Sequence, residues 1–553
     1  MTRTRNLLSA GLIFAAACQP VSTAVTPAAS AGADILITNG RIVDGTGNPW
    51  YRGSVVVTGD RITYVGPSVP GLTAKRIIDA RDQVVSPGFI DMLGHSENTI
   101  LTGPHAVSKI TQGITSEVTG EVSSAWPNTT VGQTVNPRHP WRSLDGYFKE
   151  LERRGTAINL GTYVGTSSVR LAVMGQATRH PTSDEMKQMG ALIDSAMRDG
   201  AFGLGTGLIY LPSTFFTTDE LIELTRYVTP YKGGYAAHIR HEDNRLVEAV
   251  YETIRIAKET GTWAEIRHIK ARTPELMREA LRVIDSARAA GIDVTADQYP
   301  YTASATGLTA MLNTWVQEGG TDSLVMRLRD PAVRARLKRE LAEDSAAGIR
   351  TAAKTMISDV GADSLKKYEG LTLVEVGKMR NEDPYDAAFD IIIADHGNTG
   401  AMYFSFDETA LRMAMKEPWV SVGQDAGAMS PDSDGVFRER NHPRAFGTFP
   451  RILGRYVRQD SVISLEFAIR KMTSLAAQRV GLQDRGLLKP GMHADITIFD
   501  PNTIIDNSTY ANPMQLASGV SYVLVNGVPV VDNGKVTSAL PGKALRGPAY
   551  RPH

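Results

Sequence analysis

With 553 residues, of which 42% are apolar and 21% charged, the chain has the composition of a globular protein with a large core, which excludes a disordered or fibrous design. Lys and Arg number 59, as do Asp and Glu, so no basic surplus exists to attract a nucleic acid or another polyanion. The one cysteine, Cys18, excludes disulfides within the chain and a cysteine-based zinc knuckle.

In chain order, the first segment reads as a leader. MTRTRNLLSAGLIFAAACQP sets two arginines before an apolar run and then small residues ending at Cys18. That is the layout of an export signal, too short to remain as a membrane-spanning helix. AAAC resembles a lipobox, with Ala15 where leucine is more usual, so Cys18 is the expected lipidation site. Plain secretion, with cleavage in the later Ala/Ser-rich stretch, is the other reading. Either way the mature chain is expected outside the cytoplasm, periplasmic or membrane-anchored as a lipoprotein. Residues 1–18 form the signal and 19–33 a flexible Pro/Ala/Ser tether.

Residues 34–86 alternate short β-branched runs with NG, DG and GD turns, the pattern of a small antiparallel sheet. Residues 490–545 repeat that pattern in HADITIFDP and VSYVLVNGVPVVDNGKV, so both ends are expected to pair in one discontinuous β-sandwich. Between them, over 87–489, short apolar strands alternate with amphipathic stretches such as TTDELIELTRYV and RLVEAVYETIRIAKETG. The candidate strands are VVSPGFIDML, ITSEVTG, INLGTYVG, FGLGTGL, YAAHIR, WAEIRHIK, DVTADQYPY and VSVGQDAG. They predict an α/β fold, a TIM-like (β/α)8 barrel whose site lies at the strand C-terminal ends. The stretch 308–397 is too long for one crossover helix and reads as a helical insertion near the barrel mouth, suited to a lid or specificity element.

Polar residues gather where these strands end. His238, Arg240 and Glu242 alternate in HIRHE, as do His268 and Lys270 in RHIK and Asp297, Tyr299 and Tyr301 in DQYPY; Asp425 ends VSVGQD. Alternation places each set on one face. A lone strand histidine is more often a hydrogen-bonded core residue than a ligand, but several polar ends converging on one barrel rim predict a site. His241, on the opposite face from His238, is expected behind the barrel wall, with an exposed or outer-shell role as the other reading. His442 is expected to shape its loop, and His396 lies beside the insertion within possible reach of the mouth.

On ITNGRIVDGTG, SPGFIDMLGHSE, QGITSEVTGE, GLGTGLIYLPS, HIRHE, RHIK, DQYPYTA, HPRAFGTFPRILGRYV, RKMTSLAAQRVGL and RGLLKPGMHADITIFDP, the chain resembles the amidohydrolase superfamily. Within it, the resemblance is to the N-acyl-D-amino-acid deacylase (D-aminoacylase) family, over nearly all of the chain from Ala33 to Arg546. The resemblance implies a metal-dependent hydrolase acting on small N-acyl amino acids, with one tightly held ion, usually Zn2+, on His238 and His268. It implies that Asp425 takes a proton from metal-activated water and passes it to the leaving amine. It also implies that Lys270 and Arg444 hold the substrate carboxylate and that Tyr299 lies near the scissile carbonyl.

Two departures follow. The first-strand HxH pair falls on Leu93 and His95, and leucine cannot bind metal, which leaves His95 as part of a weak second site. The bridging cysteine of strand two is absent and GLGTGLIY offers no lysine to carboxylate in its place, so Glu121 is expected to be the anionic ligand. A family serine falls on Ala305, which leaves the carboxylate pocket open. The alternatives are an amidohydrolase of dipeptides or cyclic amides, or a surface-anchored binding protein without metal chemistry.

Overall fold

The computed structural model describes residues 32–68, 71–132, 139–346, 351–438 and 440–551. Cys18, the signal and nearly all of the tether lie outside the described residues. Among the described residues, no helix is long and apolar enough to cross a membrane.

Eight parallel strands form a barrel: Phe89–Asp91, Ile114–Thr119, Asn159–Thr162 continued by Val164–Gly165, Gly203–Gly207, Gly234–His238, Ala264–Ile266, Val294–Gln298 and Val420–Val422. They are called barrel strands 1 to 8 below. Met92 N–H donates to Val422 O at 3.1 Å and Gly94 bridges Ala426 in parallel, which closes strand 8 onto strand 1. Every residue of these strands is buried, as the fold requires when helices cover the outside and side chains fill the inside. They fall in the eight stretches read from the sequence. The two helices singled out there also form. Thr218–Thr225 starts on a capping box between Thr217 and Glu220, and Leu246–Thr260 stops where Gly261 takes the left-handed conformation (φ 68°).

Two buried ionic clusters brace the strand ends. Lys109, fully buried, donates to Asp91 Oδ2 (2.8 Å) and to Ala426 O (2.7 Å), with Glu117 Oε2 at 3.5 Å. Asp91 in turn accepts from Leu93 N–H (3.2 Å) and Gln424 N–H (2.7 Å), which ties strand 1 to strand 8. Glu117 fits under the end of strand 1 because residue 94 is glycine; a Cβ there would lie 1.6 Å from Glu117 Oε1. Across the barrel, Arg267 pairs with Asp297 (2.9 Å), and Asp297 Oδ1 accepts from His268 N–H (2.7 Å). Charges this deep persist only when paired. Asp297, which alternates with Tyr299 along its strand, therefore serves to hold the turn that carries His268.

The two chain ends share one nine-stranded sheet. Its junction is strand Val84–Pro87, parallel to Ile35–Ile42 and antiparallel to Ile496–Phe499. Ile37, Val55, Ile62, Val85, Ile496 and Leu524 fill its core. Beyond strand Lys535–Val536 the chain leaves the sheet and runs along the start of barrel strand 3, where Gly542 N–H donates to Thr156 O and Leu545 N–H to Leu160 O.

The insertion is mixed rather than wholly helical, and wider than 308–397. Strands Ala303–Gly307, Gly400–Phe404 and Thr355–Asp359 form an antiparallel sheet with the second in the middle, and helices pack with it around Leu308, Leu328, Ile357, Phe389 and Ile392. ASATG has small and polar residues without apolar alternation, so its strand has no sequence signature; pairing with Gly400–Phe404 creates it.

Candidate metal centre and active site

Three donors from three strand ends meet at the bottom of the barrel mouth. His238 ends strand 5, His268 follows strand 6, and Glu121 follows strand 2; all three are buried. His268 Nε2 lies 2.9 Å from His238 Nδ1, and Glu121 Oε1 lies 3.3 Å from the former and 3.7 Å from the latter. These separations bracket the roughly 3.3 Å expected between ligands of a tetrahedral ion with bonds of about 2.0–2.1 Å. Glu121 Oε1 is buried and has no hydrogen-bond partner, an arrangement that is costly unless something positive completes it. Burial pushes the Glu121 carboxyl up, but the adjacent imidazoles of His238 and His268 outweigh it and hold the group well below its ordinary range. Burial and Lys270 push His268 down, yet Asp425, Glu242 and Glu121 bring it up to about 9. The pocket attracts positive charge, and two imidazoles with one carboxylate form a donor set that suits zinc.

His95, Glu121 and Asp425 form a second, looser group. His95 Nε2 is 3.0 Å from Asp425 Oδ1 and 3.9 Å from Glu121 Oε2. Burial opposes the charge on His95, but Asp425 raises it to about 9. Leu93 is buried against strand 8 and contributes no donor. Asp425 is already engaged on its other oxygen, with Arg444 2.6 Å from Oδ2. Burial would raise the Asp425 carboxyl, but the Arg444 charge dominates and holds it far below its usual range. Both His268 (φ 37°) and Asp425 (φ 57°) adopt the left-handed backbone region, a strain that clusters at functional sites.

Lys270 and Arg444 line the cavity above, whose volume is ≈ 770 Å³, while Tyr299 is buried against them rather than on its lining. The Tyr299 ring lies between two cations, Lys270 Nζ at 5.5 Å and the Arg444 guanidinium at 4.9 Å, and its hydroxyl is buried without a hydrogen-bond partner. Burial raises the Tyr299 phenol well above its ordinary value, so it stays a neutral donor. Lys270 and Arg444, read as a cationic pair for a carboxylate, are engaged here with acids of the site: Lys270 with Glu242 Oε1 at 2.5 Å, Arg444 with Asp425. Arg444 also donates to Ala305 O at 3.0 Å, the backbone of the position where a serine was expected.

Sequence reasoning missed several residues of the mouth. Tyr210 packs edge-on against His238, with centroids 5.1 Å apart, and its hydroxyl donates to Thr306 Oγ1 on the insertion. Thr306, Tyr403 and Phe406 line the same cavity; nothing in their sequence pattern signals this. His241 corrects an expectation. It lines the cavity rather than sitting behind the wall, with Nδ1 2.9 Å from Arg245, because strand 5 ends at His238 and alternation ceases there. His396 pairs with Asp322 on the insertion surface, away from the mouth. His442 does brace its loop, accepting from Arg444 N–H at 2.9 Å.

Residues 76–531 match the amidohydrolase family. The chain belongs to the amidohydrolase family. Among amidohydrolases, it is 32% identical to the D-aminoacylase of Alcaligenes xylosoxydans xylosoxydans over 93% of this chain and 97% of that one. The N-acyl-D-glutamate deacylase of Bordetella bronchiseptica, solved with zinc and a phosphonate mimic of the tetrahedral intermediate, superposes with a TM-score of 0.78. It is 30% identical, covering 93% of this chain and 100% of that one. A D-aminoacylase structure described as having a binuclear metal centre, with one-metal activation and second-metal attenuation, gives a TM-score of 0.77 at 31% identity, with 93% and 100% covered.

Proposed function

We propose that this amidohydrolase cleaves the amide bond of N-acyl-D-amino acids, releasing a carboxylate and a free amino acid, and that it works with one zinc ion held by Glu121, His238 and His268. The observation that carries the reading is the convergence of those three donors beneath a cavity that also contains Asp425 and two cations. The D configuration rests on the relatives, named as D-aminoacylase and N-acyl-D-glutamate deacylase. Zinc bound there supplies Lewis acidity toward the acyl carbonyl and water of lowered pKa.

The chain's own residues account for orientation and proton movement. Asp425, kept ionised by Arg444, accepts the proton of the attacking water on its carboxylate and returns it to the departing amine nitrogen. Tyr299, with an unpartnered hydroxyl, donates toward the carbonyl oxygen as charge builds on it. Arg444 offers the substrate carboxylate a planar fork and Lys270 a point charge. Glu242 holds Lys270 and Asp425 holds Arg444, which positions both cations at the cavity for a substrate carboxylate.

The deciding assay measures released amine from N-acyl-D-amino acids, their L enantiomers and dipeptides. D substrates are expected to dominate; equal or faster turnover of L substrates or dipeptides would overturn the reading. Lys270→Ala is expected to raise KM for the acids by roughly ten- to a hundredfold, the effect of losing a charge-assisted contact of about 1.5–3 kcal/mol. The matching C-terminal amides should change little, and equal effects on acid and amide would remove the carboxylate argument.

We also infer that the chain is exported and anchored by lipid on Cys18, which rests on the leader sequence alone. Cys18→Ser is expected to move the protein from the membrane to the soluble fraction of a bacterial host. Unaltered membrane association in that variant would exclude a lipid on Cys18.

A further inference from the structure

Four residues after His238, Glu242 turns back into the site, and a single oxygen of it faces three nitrogens. Glu242 Oε1 lies 2.5 Å from Lys270 Nζ, 3.1 Å from His268 Nδ1 and 3.9 Å from His238 Nε2. The two imidazole nitrogens are the ones that point away from Glu121. His238 meets the Glu121 pocket through Nδ1 and turns Nε2 outward; His268 meets it through Nε2 and turns Nδ1 outward. His238 Nε2 is buried with no hydrogen-bond partner. A neutral imidazole that gives one nitrogen to a cation must carry its hydrogen on the other, and that N–H needs an acceptor. For His268, Lys270 Nζ at 2.6 Å from Nδ1 is a donor and cannot be that acceptor, whereas Glu242 Oε1 at 3.1 Å can; at 3.9 Å from His238 Nε2 the same oxygen is too far for a direct hydrogen bond.

Resting on the assignment of Glu121, His238 and His268 as zinc ligands, we propose that Glu242 is a positioning residue that orients His268 and also holds Lys270 over Tyr299. It selects the Nε2 face of His268 for the ion, and it keeps the lysine beside the carboxylate site. One side chain thereby links metal affinity to substrate binding, although it touches neither the ion nor the reacting bond. Its neighbour Arg240 belongs to a different network, paired with Glu252 at 2.9 Å and donating to Thr214 O and Phe216 O. Glu242 is thus the acid of HIRHE directed at the metal site.

The test uses the full chain and zinc alone as probe. Zinc affinity is measured by competition with a chromophoric chelator for wild type, Glu242→Gln and Glu242→Ala, and the visible spectrum of the cobalt-substituted proteins reports ligand geometry. Both variants are expected to bind zinc 10- to 100-fold more weakly, the usual effect of removing the partner of a ligating histidine, and to show a shifted cobalt spectrum. Formate added to Glu242→Ala is expected to recover part of the affinity. A second readout is KM for N-acyl amino acids, which should rise in Glu242→Gln because Lys270 loses its holder. Wild-type zinc affinity and an unchanged cobalt spectrum in a folded Glu242→Gln would overturn the proposal. Failure of the wild type itself to bind zinc would instead overturn the metal assignment. A wild type that binds zinc but does not hydrolyse N-acyl amino acids would overturn the substrate reading and leave the affinity test of Glu242 in force.

Discussion

Asp425→Asn is expected to retain zinc and to lose turnover by about 10²- to 10⁴-fold, the range over which a positioned general base acts. An asparagine has nearly the same shape and still offers one oxygen, so either His95 Nε2 or the Arg444 guanidinium keeps an acceptor. It cannot accept a proton from water. Because Asp425 is not among the three buried donors that converge on one point, its loss should leave metal content at one ion per chain. Metal analysis alongside kcat separates the roles. Zinc lost together with activity would make Asp425 a ligand, and kcat close to wild type would refute its role in proton transfer.

Glu121→Gln is expected to weaken zinc binding by more than about a hundredfold, beyond the 10- to 100-fold typical of losing an outer partner. The amide presents a poorer, uncharged donor at the point where His238 Nδ1 and His268 Nε2 meet. Glu121→Cys should restore part of the affinity, since a thiolate also suits a zinc site. His95→Ala serves as the contrasting variant: Leu93 offers no second donor on that strand and His95 is directed at Asp425, so zinc content should hold. The opposite pattern, with full zinc in Glu121→Gln and loss in His95→Ala, would place the ion on the first strand.

Glu242 shows how far sequence pattern reaches at this site. Alternation put it on the face of His238, but strand 5 ends at His238, so the periodicity argument does not extend to residues 239–242. The same strand end explains the misplacement of His241. Glu242 is brought to the histidines by the turn after the strand, and turns of that kind carry no short-range signature. Arg444 is similar. Its charge marks it as a carboxylate partner, but which carboxylate it meets depends on the residues after strand 8 packing against the start of the helix at Arg444, where Gln424 Nε2 donates to Ala445 O.

The sequence by itself determined the barrel and its rim. Apolar stretches separated by amphipathic helices occur eight times, the number of strands that closes a parallel barrel, and such a sheet sends its strand ends to one rim. Polar residues at those ends were therefore legible as a group before any contact was known. What only the tertiary structure decided was which atoms face one another. The 2.9 Å approach of His268 to His238, the single Glu242 oxygen shared by Lys270 and His268, the Asp425–Arg444 pair and the insertion's sheet all join segments far apart in the chain or beyond regular strand geometry. Local propensity and periodicity act over a few residues, whereas these contacts are fixed by how barrel, insertion and loops pack against each other.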